Sequence, residues 1–329
     1  MKILITGSTG FIGQNLLKYL DSAQYQITIL NRKQKKFNNT SIKQIIGDLH
    51  DQDALRQAVV GQDMIVHLAG CVKAKDQIAF DHVNVEGTKT LLDAVLDKNP
   101  SLKRFILISS LAAAGPARSG NILDCKHENE INQPISMYGE SKHRSEKVFL
   151  AHAYSGEKVI LRPPIVYGPH DYQLLDLFKL LSKGLALKMQ GKEKYYSMVF
   201  VEDFCKAIQC MLDAQNVEKE NIFYVADPQL YSMQDIIHHF QKAANIKKIR
   251  VLKLPKVFFK VIAIAADGVA NIFSKPQPYN SDKYREMLAE AWTCSPNKIK
   301  HQHNFECQYD LQAGFEKTIQ WYQEQRLLK

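Results

Sequence analysis

"ITGSTGFIG", Ile5 to Gly13, decides the fold. The apolar run "KILIT" leads into it, and Phe11 to Leu20 follows with helical periodicity. Gly7, Gly10 and Gly13 therefore sit three apart, directly after a strand and at the opening of a helix. Glycine at the turn tolerates positive φ, Gly10 lets the backbone approach a diphosphate, and Gly13 lets the helix pack close against the sheet. The N–H groups and dipole of the helix N-terminus favour such an anion. The alternative is an ordinary tight turn.

Outward from this turn, short apolar runs alternate with helical stretches. "QITIL", "DMIVHLA", "RFILIS" and "KVILR" read as strands; Asp51 to Val60, Val83 to Leu96 and Met137 to Ala153 read as helices. That rhythm implies βαβ units and a parallel sheet with helices on both faces. It breaks after Arg162, at the Pro/Gly loop "PPIVYGPHDY". Helices are expected at Leu174 to Lys183, Glu202 to Ala214 and Gln312 to Gln325, and "NIFYVAD" reads as one more sheet strand. The expected organisation is a dinucleotide-binding unit over 1–165, rejoined by 200–227, and a smaller substrate-binding lobe from 166–199 and 228–329.

The chain has 329 residues, is 45% hydrophobic and carries a net charge of +9, which fits a folded protein with a large core and a Lys-rich surface. No zinc pattern, RNA-binding signature or long basic run points to nucleic acid. Cys71, Cys125, Cys205, Cys210, Cys294 and Cys307 form no CxxC, and no His cluster has metal-ligand spacing, so no metal is expected. Scattered thiols and an N-terminus without a secretory pattern imply a reduced, cytoplasmic setting. "VFFKVIAIAADGVANIF", Val257 to Phe273, is interrupted by Lys260, Asp267 and Gly268 and is too short to span a bilayer well. It reads as a core or substrate-covering helix, with a helix on a membrane surface as the alternative.

The second strand ends in "ILNRK", where an acid would accept ribose hydroxyls. Asn31 is followed instead by Arg32 and Lys33. An acid would repel a 2′-phosphate and Arg32 could clamp one, which favours NADP over NAD; a basic surface loop is the other reading. Asp48 either accepts a hydrogen bond from an adenine amino group or serves as a turn or helix cap. Tyr-x-x-x-Lys occurs three times, at Tyr138/Lys142, Tyr154/Lys158 and Tyr279/Lys283. Spacing alone does not choose among them.

The ordered set does. The TGxxGxxG turn at Thr6 to Gly13, "GDL" at Gly47, "HLAG" at His67, "NVEGT" at Asn84, "ISS" at Ile108, "YGESK" at Tyr138 and "LRPPIVYGP" at Leu161 resemble the extended short-chain dehydrogenase/reductases. This family comprises NAD(P)-dependent epimerases, dehydratases and ketone reductases. In detail, "LRPPIVYGP" and "SMVFVEDFCKAI" look like 3β-hydroxysteroid dehydrogenases and dihydroflavonol reductases. The resemblance covers about the first 225 residues well.

It implies an α/β, Rossmann-type doubly wound sheet and a Ser110-Tyr138-Lys142 site. It places a cofactor along Gly7, Thr9, Gly10, Phe11, Ile12, Gly13, Arg32, Asp48, Leu49, Leu68, Ala69, Gly70, Asn84, Tyr138, Lys142, Pro164 and Ile165. It also suggests a homodimer through helices that include Val83 to Leu96 and Met137 to Ala153. The working Tyr and Lys lie on the helix after the Ser-bearing strand, so Tyr138/Lys142 is the pair; the other two are chance matches. Ser109 neighbours Ser110. Asn84 joins a polar relay in the helix or caps it.

Tyr138 and Lys142 would share a helical face, the Lys142 cation favouring phenolate, and Tyr138 would exchange a proton with a substrate oxygen while hydride moves. "SSLAAAGPA" has no acid after the Ser, which disfavours dehydration. Tyr195, Tyr196, Ser197 and Met198 replace the Arg that grips a nucleotide-sugar diphosphate. The expectation is an NAD(P)-dependent alcohol dehydrogenase or ketone reductase acting on a small, hydrophobic or mid-polarity molecule. A nucleotide-sugar 4-epimerase using the same residues is the alternative, and a non-catalytic NADP-binding regulator the alternative of another class.

Overall fold

The computed structural model describes residues 1–20, 23–36, 42–121, 124–215, 217–273 and 279–328, with side chains of 270–273 outside the description. Six strands come first, joined by helices except between β2 and β3, where none lies among the described residues: β1 Lys2–Thr6, β2 Gln26–Asn31, β3 Lys43–Ile46, β4 Met64–His67, β5 Arg104–Ile108 and β6 Glu157–Arg162. The intervening helices are α1 Phe11–Tyr19, α2 Gln52–Val59, α3 Gln77–Asp81, α4 Gly87–Lys98 and α5 Met137–Ala151. Later strands are β7 Ile165–Tyr167, β8 Leu185–Met189, β9 Tyr195–Tyr196, β10 Met198–Phe200, β11 Glu220–Tyr224, β12 Tyr231–Ser232, β13 Arg250–Leu254 and β14 Ala291–Trp292. Later helices are α6 Leu175–Ser182, α7 Val201–Asp213, α8 Met233–Ala243, α9 Lys256–Phe273, α10 Ser281–Leu288, α11 Asn297–His303 and α12 Leu311–Glu324.

Strand β1 has no solvent-facing side. Ile3 and Ile5 pack with Leu16, Ile27 and Val66, while Leu4 packs with Leu30, Ile65 and Leu91 on the opposite face. A strand buried on both faces belongs in a parallel sheet flanked by helices. That sheet has seven strands in the order β11-β6-β5-β4-β1-β2-β3, all paired in parallel. "NIFYVAD" supplies the outer strand: β11 runs beside β6, with Ile222 opposite Ile160. The order reverses between β1 and β4, and the glycine turn and the "HLAG" turn leave the sheet side by side there, at the place where such sheets bind ligands.

Outside the sheet, β8 pairs with β13, β7 with β10, and β9 with both β12 and β14. "YYSMVFV", with its even apolar run, divides between β9 and β10, which join different small sheets. The helix expected over Val83 to Leu96 also divides. Between α3 and α4, His82–Glu86 forms a π-helical turn. The apolar segment beginning at Val257 does form a helix, but not a core one. Of its side chains described, only Ala263 is buried, and Val257, Val261 and Ile264 are each more than half exposed. Apolar composition is compatible with any non-aqueous neighbour, and the protein supplies one for a single side of this helix. Among the described residues no helix is long and apolar enough to cross a membrane.

Helix α5 is fixed to the sheet by a buried charge pair. Arg162, the last residue of β6, donates from Nε to Glu146 Oε1 at 2.9 Å and from Nη2 to Oε2 at 2.6 Å. The Arg162 side chain is 1% exposed and that of Glu146 3%. Removing one partner strands the other charge without water. Glu146→Ala should therefore cost about 3–5 kcal/mol in urea unfolding, and Glu146→Gln, which keeps hydrogen-bonding atoms in place, distinctly less.

Candidate active site

Gly7 turns the chain out of β1 with φ at +74°. A Cβ there would lie 2.5 Å from the Ala69 amide nitrogen, so only glycine lets the β1 and β4 turns lie this close. A Cβ on Gly13 would collide with the Gly7 carbonyl oxygen. The Gly10 N–H donates to that carbonyl at 3.0 Å, and Gly10 opens α1 without a side-chain cap. Thr9 and Gly10 are exposed, and Phe11 and Ile12 half-buried against the core. An uncapped helix start at an exposed, Cβ-free turn fits the diphosphate of a dinucleotide.

At the end of β2, Asn31 is buried and accepts the Ser8 hydroxyl at Oδ1, 2.7 Å away. Its Nδ2 has no partner among the described residues. Arg32 is exposed. Asp48 is exposed too and accepts the His50 N–H at 2.8 Å, while the cap of α2 is Asp51. Leu49 lies buried against Gly87, and Leu68, Ala69, Pro164 and Ile165 are half-buried around the strand ends.

Asn84 does not cap a helix. It sits inside the π-helical turn, a feature common at functional sites. Its Oδ1 accepts the Cys71 N–H at 2.7 Å, and its Nδ2 donates to the Cys71 carbonyl at 3.0 Å and the Ser141 hydroxyl at 2.8 Å. Gly70 lies between Asn84 and Lys142: a Cβ there would be 3.1 Å from Asn84 Oδ1 and 3.8 Å from Lys142 Nζ.

A buried chain of hydrogen bonds runs from here to the glycine turn. The Thr88 hydroxyl lies 2.7 Å from the Asn84 carbonyl, 3.0 Å from the Ser145 hydroxyl and 3.2 Å from His67 Nε2. His67 Nδ1 is 2.6 Å from the Thr6 hydroxyl, which accepts the Ala69 N–H at 3.3 Å. Counting protons fixes the pattern. Thr88 spends its one proton on the Asn84 carbonyl, so it accepts from both Ser145 and His67. His67 therefore carries its proton on Nε2 and accepts the Thr6 hydroxyl at Nδ1. Burial, then the Lys142 cation, holds the imidazole down at about 3, which keeps it neutral.

Ser110, Tyr138 and Lys142 come together at the sheet's edge. Ser136 caps α5 by accepting the Gly139 N–H, and Asp282 from α10 accepts the Met137 N–H through both oxygens, at 2.9 and 3.0 Å. The Tyr138 ring packs near Phe80 of α3. Ser110 Oγ accepts the Ala112 N–H at 3.1 Å, leaving its proton to donate onward. Ser109, by contrast, is buried with a hydroxyl that has no partner among the described residues. Lys142 Nζ donates to the Ile108 carbonyl at 2.6 Å.

Burial dominates the electrostatics of the site. Burial pushes the Tyr138 phenol up to about 12; Ser110 hydrogen bonding draws it down and Glu286 adds to the rise. Burial brings Lys142 down to about 8, against the pull of Glu146. Burial thus disfavours the phenolate, and the phenol is neutral at neutral pH.

The other two Tyr-x-x-x-Lys matches do not form pairs of this kind. Lys158 lies on β6 and donates to the Leu150 and His152 carbonyls, while Tyr154 is buried against the Leu102 carbonyl. Tyr279 is half exposed and Lys283 pairs with Glu286. Sequence reasoning missed Thr6, Phe80, Thr88, Ser141, Ser145 and Asp282. Part of the signal was present: Asn84/Thr88 and Ser141/Ser145 are each four apart, so two helices present small polar groups on one face each.

Residues 3–226 match the NAD dependent epimerase/dehydratase family. The chain belongs to that family. A ceramide reductase of Caulobacter vibrioides is 26% identical over 97% of this chain and 94% of its own length. An N-acetyl-alpha-D-glucosaminyl-diphospho-ditrans,octacis-undecaprenol 4-epimerase of Escherichia coli O157:H7 is 28% identical with the same coverage, 97% and 94%. The solved UDP-glucose 4-epimerase of Thermotoga maritima, holding UDP-glucose, superposes with a TM-score of 0.76 at 18% identity over 99% of this chain and 100% of its own, which shows the shared fold. As a member of the epimerase/dehydratase family the protein is an enzyme that uses a nicotinamide cofactor.

The His67 assignment is testable. Nitrogen-15 shifts should report a neutral imidazole protonated at Nε2 down to about pH 4. An unfolded imidazole titrates near about 6.5 and so binds more protons than the folded one below that point. This group's contribution to stability should accordingly fall as pH drops from about 6.5 toward about 3, and acid unfolding should show it.

Proposed function

We propose that this enzyme transfers hydride between NADP or NAD and a secondary alcohol or ketone on a hydrophobic substrate, with Tyr138 as acid/base. The observation that carries the reading is a neutral, buried phenol hydrogen-bonded with the Ser110 hydroxyl, where Ser110 is followed by the acid-free, buried run Leu111, Ala112, Ala113 and Ala114. Ser110 donates to the substrate oxygen and orients it. Tyr138 gives its proton to that oxygen in reduction and takes it back in oxidation. Lys142, cationic below about pH 8, holds the nicotinamide ribose. A bound nicotinamide supplies or accepts the hydride.

Gly7, Thr9, Gly10, Phe11, Ile12 and Gly13 would hold the diphosphate, Arg32 a 2′-phosphate, and Asp48 and Leu49 the adenine. Leu68, Ala69, Gly70, Asn84, Pro164 and Ile165 would line the path to Tyr138 and Lys142. These belong to a cofactor unit of 1–165 and 200–227; 166–199 and 228–329 form the substrate lobe. We place the enzyme in the cytoplasm, consistent with six free thiols.

An apolar substrate is supported by the lobe. Ser197 is buried and bonded to the Cys294 backbone, Lys194 donates to the Ala289 carbonyl at 2.6 Å, and Lys192 pairs with Glu290. Both lysines of this segment thus have protein partners, and no arginine stands there. Two relatives of near-full coverage are named for substrates with long hydrocarbon chains, a ceramide and an undecaprenol diphosphate. The second name also favours another reading, 4-epimerisation by the same three residues.

Oxidation of NADPH and NADH against short- and long-chain ketones, beside interconversion of UDP-sugars and lipid-linked sugars, separates the two. Net cofactor turnover with ketones is expected, and sugar interconversion without it would select the epimerase. Tyr138→Phe should lower kcat about 100-fold or more with the melting temperature unchanged. Arg32→Ala should raise KM for NADPH about tenfold and leave NADH unaffected.

A further inference from the structure

Helix α9 carries a broad apolar surface that is exposed among the described residues. Val257, Phe258, Val261, Ile262, Ile264 and Val269 are all exposed. At 3.6 residues per turn they share an arc of about 160°. Phe259, Ala263 and Ala266 lie on the other side and are half or fully buried. The two-stranded β8–β13 ribbon, which runs into α9 through Pro255, adds Leu187 and Leu252, paired in register and both exposed.

The chain leading into and through most of α9 is basic. From Ile236 to Ala266 the chain contains Lys242, Lys247, Lys248, Arg250, Lys253, Lys256 and Lys260 and no carboxylate. All seven cations are exposed, and none forms an ion pair among the described residues. Two copies meeting through this face would bring these cations together uncompensated. An anionic lipid surface compensates them, while the apolar arc enters the acyl boundary and the lysines reach the headgroups.

We infer that α9, with the β8–β13 ribbon beside it, docks the enzyme on an anionic membrane surface without crossing it. The docked face stands one helix from the site. The Ser281 N–H donates to the Asp267 carboxylate at 3.3 Å, the Tyr284 hydroxyl lies 3.5 Å from the Lys256 carbonyl, and Asp282 of the same α10 holds the first turn of α5 beside Tyr138. A substrate with a hydrocarbon tail could then reach Tyr138 from the bilayer. That consequence rests on the hydrophobic-substrate reading; the docking does not.

The test is co-sedimentation of the full chain with phosphatidylcholine vesicles, with and without phosphatidylglycerol. Binding should require phosphatidylglycerol and weaken as salt rises from about 0.1 M to about 0.5 M. Val261→Asp/Ile264→Asp should lower it about tenfold or more, and Lys253→Glu/Lys256→Glu should weaken it while the melting temperature stays unchanged. Absence of binding, or equal binding by wild type and Val261→Asp/Ile264→Asp, overturns the inference. So does a wild-type oligomer that this variant disperses while vesicles capture neither protein. Turnover of a short water-soluble ketone should be equal in wild type and variant. Vesicle binding without any ketone turnover would leave the docking standing and remove the reductase reading.

Discussion

The pairing of Glu146 with Arg162 sets the position of everything that follows it in the site. Both charges are buried, and each is satisfied chiefly by the other. Arg162 closes the last strand before the chain leaves the sheet, and Glu146 sits one helical turn beyond Lys142. The pair therefore locks α5 in rotation as well as distance, which hydrophobic contact alone would leave loose. With that rotation fixed, Lys142 meets the Ile108 carbonyl and Tyr138 faces Ser110. Both protein contacts come from the end of β5, so one strand supplies the reference for both side chains.

A second constraint joins this helix to the glycine turn. Ser145, Thr88, His67 and Thr6 pass hydrogen bonds from α5 through α4 and β4 to β1, and the proton count leaves none of the four unsatisfied. Networks of this kind are stabilising only when complete. Here completeness depends on a neutral His67, which its burial enforces. The turn that fits a diphosphate and the helix that carries the phenol are thereby held in one register, and a cofactor spanning both would meet a preformed distance.

Much of this could be read from the sequence because local rules and tertiary structure agree. Gly7 and Gly13 are required by close approaches that the structure contains, and the five strands read up to Arg162 return in the sheet together with β3 and a seventh from "NIFYVAD". Other features were illegible for stated reasons. The π-helical turn at His82–Glu86 departs from the 3.6-residue period that sequence reading relies on. Asp282 reaches the start of α5 from 145 residues away, a separation no local pattern encodes. The core reading of helix α9 failed because an apolar segment states that it avoids water, not what it meets instead.

The same burial that orders the site also selects its protonation state. Desolvation acts in opposite directions on the phenol and the ammonium, since it disfavours whichever form is charged. Tyr138 is driven toward the neutral acid and Lys142 toward the neutral amine. Glu146 opposes the second shift, but its charge is shared with Arg162, so it does not hold Lys142 at its usual value. Glu286, in turn, adds to the rise of the phenol from α10, the helix that α9 rests on. Burial thus leaves the phenol uncharged and the ammonium easier to deprotonate, with Glu286 reinforcing the first effect and Glu146 opposing the second.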